Sequence, residues 1–181
     1  MSEPSRPDGG LTLVLGGTRS GKSRIAEDLA ARLGDHVAYV ATAQVRTDDP
    51  DHQARIALHR ERRPAGWETL ECPVPRALPE VLATIDAPVL LDSLGSWIAA
   101  HPDLDADGAA LVDALAARRR PTVVVAEEVG WSLHAPSEVG RRFVDAVGTL
   151  NQQVAAVADR VLLVVAGRAL DLPAPGDGPP C

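Results

Sequence analysis

Aromatic side chains are scarce in this chain: three Trp, one Tyr and one Phe, or 3% of 181 residues. That excludes an aromatic stacking platform of the kind that single-stranded nucleic acid uses. A basic excess is missing too, because 25 acidic residues outnumber 18 Lys and Arg for a formal net charge of -7. Proteins that bind polyanions by counterion release normally carry a basic surplus or a basic face. The two cysteines, Cys72 and Cys181, cannot build a disulfide framework or a thiolate metal cluster. No stretch approaches the roughly 18 continuous apolar residues of a membrane span, and residues 1–10 hold no apolar segment of the signal-peptide kind. The expectation is a cytoplasmic protein that spans no membrane and binds no nucleic acid.

What the chain does have is Ala, Val and Leu in runs of two lengths, within a hydrophobic content of 45%. At this length one substantial core is expected rather than two. The short apolar runs 11–15, 37–41, 89–91, 122–126 and 161–165 read as strands, and 23–33 reads as a helix. Alternation of this kind marks βαβ units, so the predicted fold is α/β, a single domain with a mostly parallel sheet flanked by helices. A long helix is predicted from Glu138 towards Ala158, capped by Ser137, with Val139, Phe143, Val147, Leu150 and Val154 on its core stripe. The stretches 73–79 and 101–108 read as connections. Residues 1–10 and 173–181, rich in Pro, Gly, Ser or Asp, are expected to be disordered tails around a domain spanning 11–172.

The strongest local signal is Gly16-Gly17-Thr18-Arg19-Ser20-Gly21-Lys22-Ser23, which satisfies G-x-x-x-x-G-K-[ST] at every fixed position. It follows one apolar run and opens a helical pattern, the setting in which successive backbone amides turn inward around phosphate oxygens. The fold is therefore of P-loop NTPase type, and the expected ligands are GTP or ATP with Mg2+. Lys22 is expected to reach the β and γ phosphates and Ser23 to ligate the metal. The bland alternative is a Gly-rich turn that binds nothing. Asp92 ends the run 88–92, on a strand expected to lie beside the P-loop, and is the candidate second metal ligand. Its own bland alternative is capping the helix that starts near Ser93.

A second segment, from His52 to Pro64, is basic in an acidic protein. If helical, it sets His52, Arg55, His59 and Arg62 on one face by spacings of three and four. Such a face is either solvated, or an imidazole placed among arginines to attack an α-phosphate, the cations keeping it deprotonated and stabilising the charge that builds on phosphorus. Spacing leaves both open.

Several blocks taken together resemble one family, the bifunctional adenosylcobinamide kinases and adenosylcobinamide-phosphate guanylyltransferases of cobalamin biosynthesis. Besides the P-loop they are Tyr39-Val40-Ala41-Thr42-Ala43, Ala54-Arg55-Ile56 with His59-Arg60 and Arg63-Pro64, Trp67 with Glu71, and Glu128-Val129-Gly130. A last block runs from Arg142-Phe143 through Asn151-Gln152 and Ala158-Asp159 to Gly167. The resemblance implies that His59 takes GMP from GTP before passing it to the corrinoid phosphate. It also implies that Thr42, Arg60, Arg62, Arg63, Glu71 and Asp92 contact the guanine nucleotide or its metal, and that the protein is a homo-oligomer, a trimer. Two departures stand out. Glu127 precedes Glu-Val-Gly where members often carry Asn, with a different loop at 130–136, and Leu58 replaces a second His beside the nucleophile. Rival readings are a P-loop kinase without guanylyl transfer and a GTP sensor without catalysis.

Overall fold

The computed structural model describes residues 10–43, 63–72, 74–131 and 137–176. His52, Arg55, His59, Arg60 and Arg62 lie outside the described residues. In chain order the elements are β1 (Leu11–Gly16), α1 (Lys22–Ala30), β2 (Ala38–Ala41), β3 (Glu68–Glu71), α2 (Leu78–Thr84), β4 (Val89–Asp92), α3 (Leu94–Ala99), α4 (Gly108–Ala117), β5 (Thr122–Glu127), α5 (Glu138–Val157), β6 (Arg160–Val165) and β7 (Arg168–Leu172). The strands form one sheet in the order β3-β2-β4-β5-β1-β6-β7. All neighbours are parallel except the β6–β7 hairpin.

Continuous apolar runs become central strands because both of their faces are covered. In β1 the side chains of Leu11, Leu13 and Leu15 enter one core and Val14 the other. The first core is closed by α2 through Leu78 and Leu82, α3 through Leu94, Trp97 and Ile98, α4 through Leu111 and Leu115, and α5 through Val147, Leu150 and Val154. The second is closed by α1 through Ala26 and Ala30. Each large side chain buried this way contributes on the order of 2 kcal/mol, so the middle strands carry most of the stabilisation.

All five predicted strands are present, but two edge strands escape an apolar search. β3 is Glu-Thr-Leu-Glu with three of four residues exposed, and β7 is exposed throughout. Both are held by backbone pairing rather than by burial. The stretch 73–79 is not simply a connection, since Pro79 sits in the first turn of α2, where a missing N–H costs nothing. In α5, Ser137 Oγ accepts from Gly140 N at 3.1 Å, as its capping role requires. Val139 does not join the core stripe. It is 64% exposed, because α5 first packs on the core at Phe143.

The strand order corrects one expectation. Asp92 does not stand on the strand beside the P-loop strand: β5, with five of its six residues buried, is inserted between β1 and β4. Gly16 is registered with Glu127, and Asp92 with Val125. Asp92 thus ends a strand two positions, or about 10 Å, from β1.

Arg118 fastens the helical layer to the sheet. It is buried at 7% exposure. Its Nε donates to Thr122 Oγ1 at 2.9 Å, Nη1 to the carbonyls of Leu82 and Ile85, and Nη2 to that of Ala87 at 2.7 Å. Burial pulls its pKa below the usual arginine value, with Asp86 opposing. Arg118→Met keeps the aliphatic stem and leaves these carbonyls without their donor. Urea denaturation is expected to show a loss of about 2–4 kcal/mol, against less than about 0.5 kcal/mol for the exposed Arg119→Met.

Candidate functional site

The first feature of the site is dictated by glycine. A β-carbon on Gly16 would stand 2.5 Å from Ser20 Oγ and 2.9 Å from the Val164 carbonyl oxygen, so the chain can turn here only without one. Gly21 has φ +94°, a left-handed conformation that starts α1 at Lys22. Within the turn Ser20 N donates to Gly17 O at 3.2 Å, and Lys22 N to Ser20 Oγ at 3.3 Å. From outside, Gly167 N in the β6–β7 turn donates to Ser20 O at 2.8 Å and braces the loop.

The N-terminus of α1 has neither a side-chain cap nor an acidic residue in its first turn. Apart from the Lys22 amide, which Ser20 Oγ takes, its leading amides and the positive end of its dipole are thus left for an anion. Lys22 Nζ lies over the turn, 3.5 Å from Gly17 O. A helix start in this state suits a phosphate, and the arrangement fits a nucleotide's phosphates better than a turn that binds nothing.

Two strands away, Asp92 ends β4. It does not cap the following helix: Ser93 does, its side chain accepting from Ser96 N. Tyr39 Oη donates to Asp92 Oδ2 at 2.6 Å, and among the described residues Oδ1 has no hydrogen-bond partner. Burial first, and then the Asp92 carboxylate, push the Tyr39 phenol far above its ordinary pKa, so it stays a donor. The Arg63 guanidinium lies over the Tyr39 ring at 3.3 Å from the centroid and donates to Thr69 Oγ1 at 2.9 Å.

Between Asp92 and the P-loop runs a seam of hydrogen bonds. Thr42 Oγ1 donates to Ser93 O at 2.7 Å and accepts from Ser93 N at 2.8 Å, while Thr42 N donates to Asp92 O at 3.1 Å. The Thr42 hydroxyl, 3% exposed, is spent on joining β2 to β4. Ser93 Oγ donates to Glu127 Oε1 at 2.7 Å, and Gly95 N to Glu127 Oε2 at 2.9 Å. Asn151 Nδ2 donates to the Glu127 carbonyl at 3.0 Å. The next residue, Glu128, donates its amide to Gly16 O at 3.0 Å and accepts from Gly130 N through Oε1 at 3.1 Å. At the far edge Glu71 ends β3, where a cavity of about 530 Å³ is lined by Arg63, Pro64, Ala65, Trp67, Thr69 and Glu71.

Residues 12–172 match the family described as cobinamide kinase / cobinamide phosphate guanyltransferase. The chain belongs to this family. Among curated relatives, the bifunctional adenosylcobalamin biosynthesis protein CobP of Pseudomonas aeruginosa is 41% identical, over 93% of this chain and 98% of that protein. The bifunctional CobU of Salmonella typhimurium is 37% identical, over 87% of this chain and 96% of that protein. Solved structures give the fold from a wider distance. A KaiC-like protein of Pyrococcus horikoshii superposes with a TM-score of 0.50 at 17% identity, covering 87% of this chain and 71% of that one. The RadB recombinase gives 0.50 at 20%, covering 86% and 74%.

For this cobinamide kinase and guanyltransferase chain, the predicted residues fall into three groups. Gly16–Ser23 forms one cradle at the end of β1. Thr42 and Asp92 stand together, three and two strands away from it respectively, with Arg63 and Glu71 beyond them. His59, Arg60 and Arg62 lie outside the described residues. Sequence reading passed over the parts played by Tyr39, Ser93 and Glu127. The available signals were the single tyrosine inside an apolar strand and the paired glutamates closing β5.

The cradle yields a contrast on stability. Gly16→Ala is expected to lose about 1–3 kcal/mol in chemical denaturation, because its β-carbon meets backbone as well as Ser20. Gly17→Ala, with nothing within 4 Å of the added carbon, is expected to change stability by less than about 0.5 kcal/mol.

Proposed function

We infer that the protein phosphorylates the hydroxyl of the aminopropanol arm of adenosylcobinamide with GTP or ATP. It then transfers GMP from a second GTP through a histidine to give adenosyl-GDP-cobinamide. The observation that carries this is family membership across 12–172 together with an uncapped helix start behind an intact P-loop. In the kinase step the amides of Gly16–Ser23 grip the phosphates, and Lys22 offsets the charge that develops as the γ phosphoryl group leaves. In the transferase step His59 is the nucleophile at the α phosphorus, with Arg60, Arg62 and Arg63 around it. Arg63 and Glu71 line the cavity beside β3, where the guanine nucleotide is held.

Among the described residues no group of three or more His, Cys, Asp or Glu is placed to hold a metal. One or two oxygen donors assisted by substrate phosphates is the arrangement that suits Mg2+, and the Ser23 hydroxyl and Asp92 Oδ1 supply them. When bound, the ion neutralises charge on the β and γ oxygens. Among the described residues no helix is long and apolar enough to cross a membrane, which fits a cytoplasmic enzyme. By resemblance to its family the assembly is a homotrimer.

Incubation with GTP labelled at the α phosphate is expected to give an acid-labile, base-stable protein adduct that His59→Ala abolishes. Phosphorylation of the corrinoid without any adduct would assign a kinase alone, and nucleotide binding without turnover a sensor. Lys22→Ala is expected to lower phosphoryl transfer by about 100-fold or more.

Tyr39→Phe keeps the ring under Arg63 and removes only the hydrogen bond to Asp92. The gain in GTP affinity that Mg2+ confers, measured by calorimetry, is expected to shrink by about tenfold. An unchanged Mg2+ gain in this variant would separate Asp92 from the metal.

A further inference from the structure

Phosphoryl transfer to an alcohol needs a group to take the attacking hydroxyl's proton, and none of the residues given roles above does so. Among the described residues, four carboxylates stand at the C-terminal ends of the parallel strands: Glu71, Asp92, Glu127 and Glu128. Glu71 closes the edge strand β3, four strand positions from β1 and therefore about 19 Å away. Asp92 is engaged by Tyr39 and serves the metal. Glu127 has both of its oxygens taken, one by Ser93 Oγ and the other by Gly95 N.

Glu128 differs from these three. Its amide donates to Gly16 O at 3.0 Å, which sets the residue against the first glycine of the phosphate loop. The bond from Gly130 N to Oε1 fixes the carboxylate's orientation. Among the described residues Oε2 has no hydrogen-bond partner, and the residue is only half-buried. We propose that Glu128 is the general base of the kinase step, an assignment that rests on the function proposed above. The O–H bond of the acceptor breaks and its proton passes to Glu128 Oε2. The freed electron pair on oxygen forms the bond to the γ phosphorus. The bond from that phosphorus to the β–γ bridging oxygen breaks, its electrons leaving on the nucleoside diphosphate.

Glu128→Gln tests this, because the amide's carbonyl oxygen still accepts from Gly130 N but cannot take up the proton. With cobinamide as acceptor and GTP as donor, kcat is expected to fall by about 100-fold or more. The KM for GTP and its calorimetric Kd are expected to stay within about threefold of the wild type. Glu128→Asp should recover part of the lost kcat. A Gln variant with wild-type kcat would overturn the assignment. So would a loss of kcat matched by an equal loss of GTP affinity, which would make Glu128 a brace for the 128–130 turn. Wild-type protein that binds GTP but moves no phosphate to cobinamide would overturn the function reading and this assignment with it.

Discussion

Both faces of the central strands are closed by helices, and that closure decides where chemistry can happen in this protein. A polar side chain within β1, β4 or β5 would be buried without water, whereas at the C-terminal strand ends the sheet opens and helix starts gather. The seam that joins Thr42, Ser93, Glu127, Glu128 and Gly16 satisfies polar groups along that rim. In doing so it also sets the spacing between the phosphate cradle and Asp92.

The insertion of β5 gives the rim its working length. The glycine cradle closes the end of β1, while Arg63 and Glu71 line a cavity at the end of β3. The function proposed above, a kinase step and a guanylyl transfer, would use these as two chemically distinct stations on one edge. Tyr39 belongs to both: its hydroxyl holds Asp92, and its ring carries the Arg63 guanidinium.

What could be read directly from the residues follows from how strongly each feature is coded. The P-loop was legible because its glycines answer to local backbone geometry, as Gly16 and Gly21 show. The central strands were legible because burial on two faces demands unbroken apolar runs. The edge strands β3 and β7 were not, since backbone pairing places few demands on side chains. Asp92 was recognised as a strand-end acid but assigned a neighbour it lacks, because strand order depends on packing between elements far apart in sequence. The roles of Tyr39 and Glu127 went unread for the same reason: their partners Asp92 and Ser93 are 53 and 34 residues away.

The brace from Gly167 N to the carbonyl of Ser20 spans almost the whole chain, and it bears on the order of events during synthesis. Residues of the phosphate loop leave the ribosome early, yet the strand pairs flanking β1 come from β5 and β6, more than a hundred residues later. A nascent chain that carries the glycine motif therefore has no cradle to offer. The loop takes the shape described here only once the β6–β7 hairpin, made last, is in place to prop it.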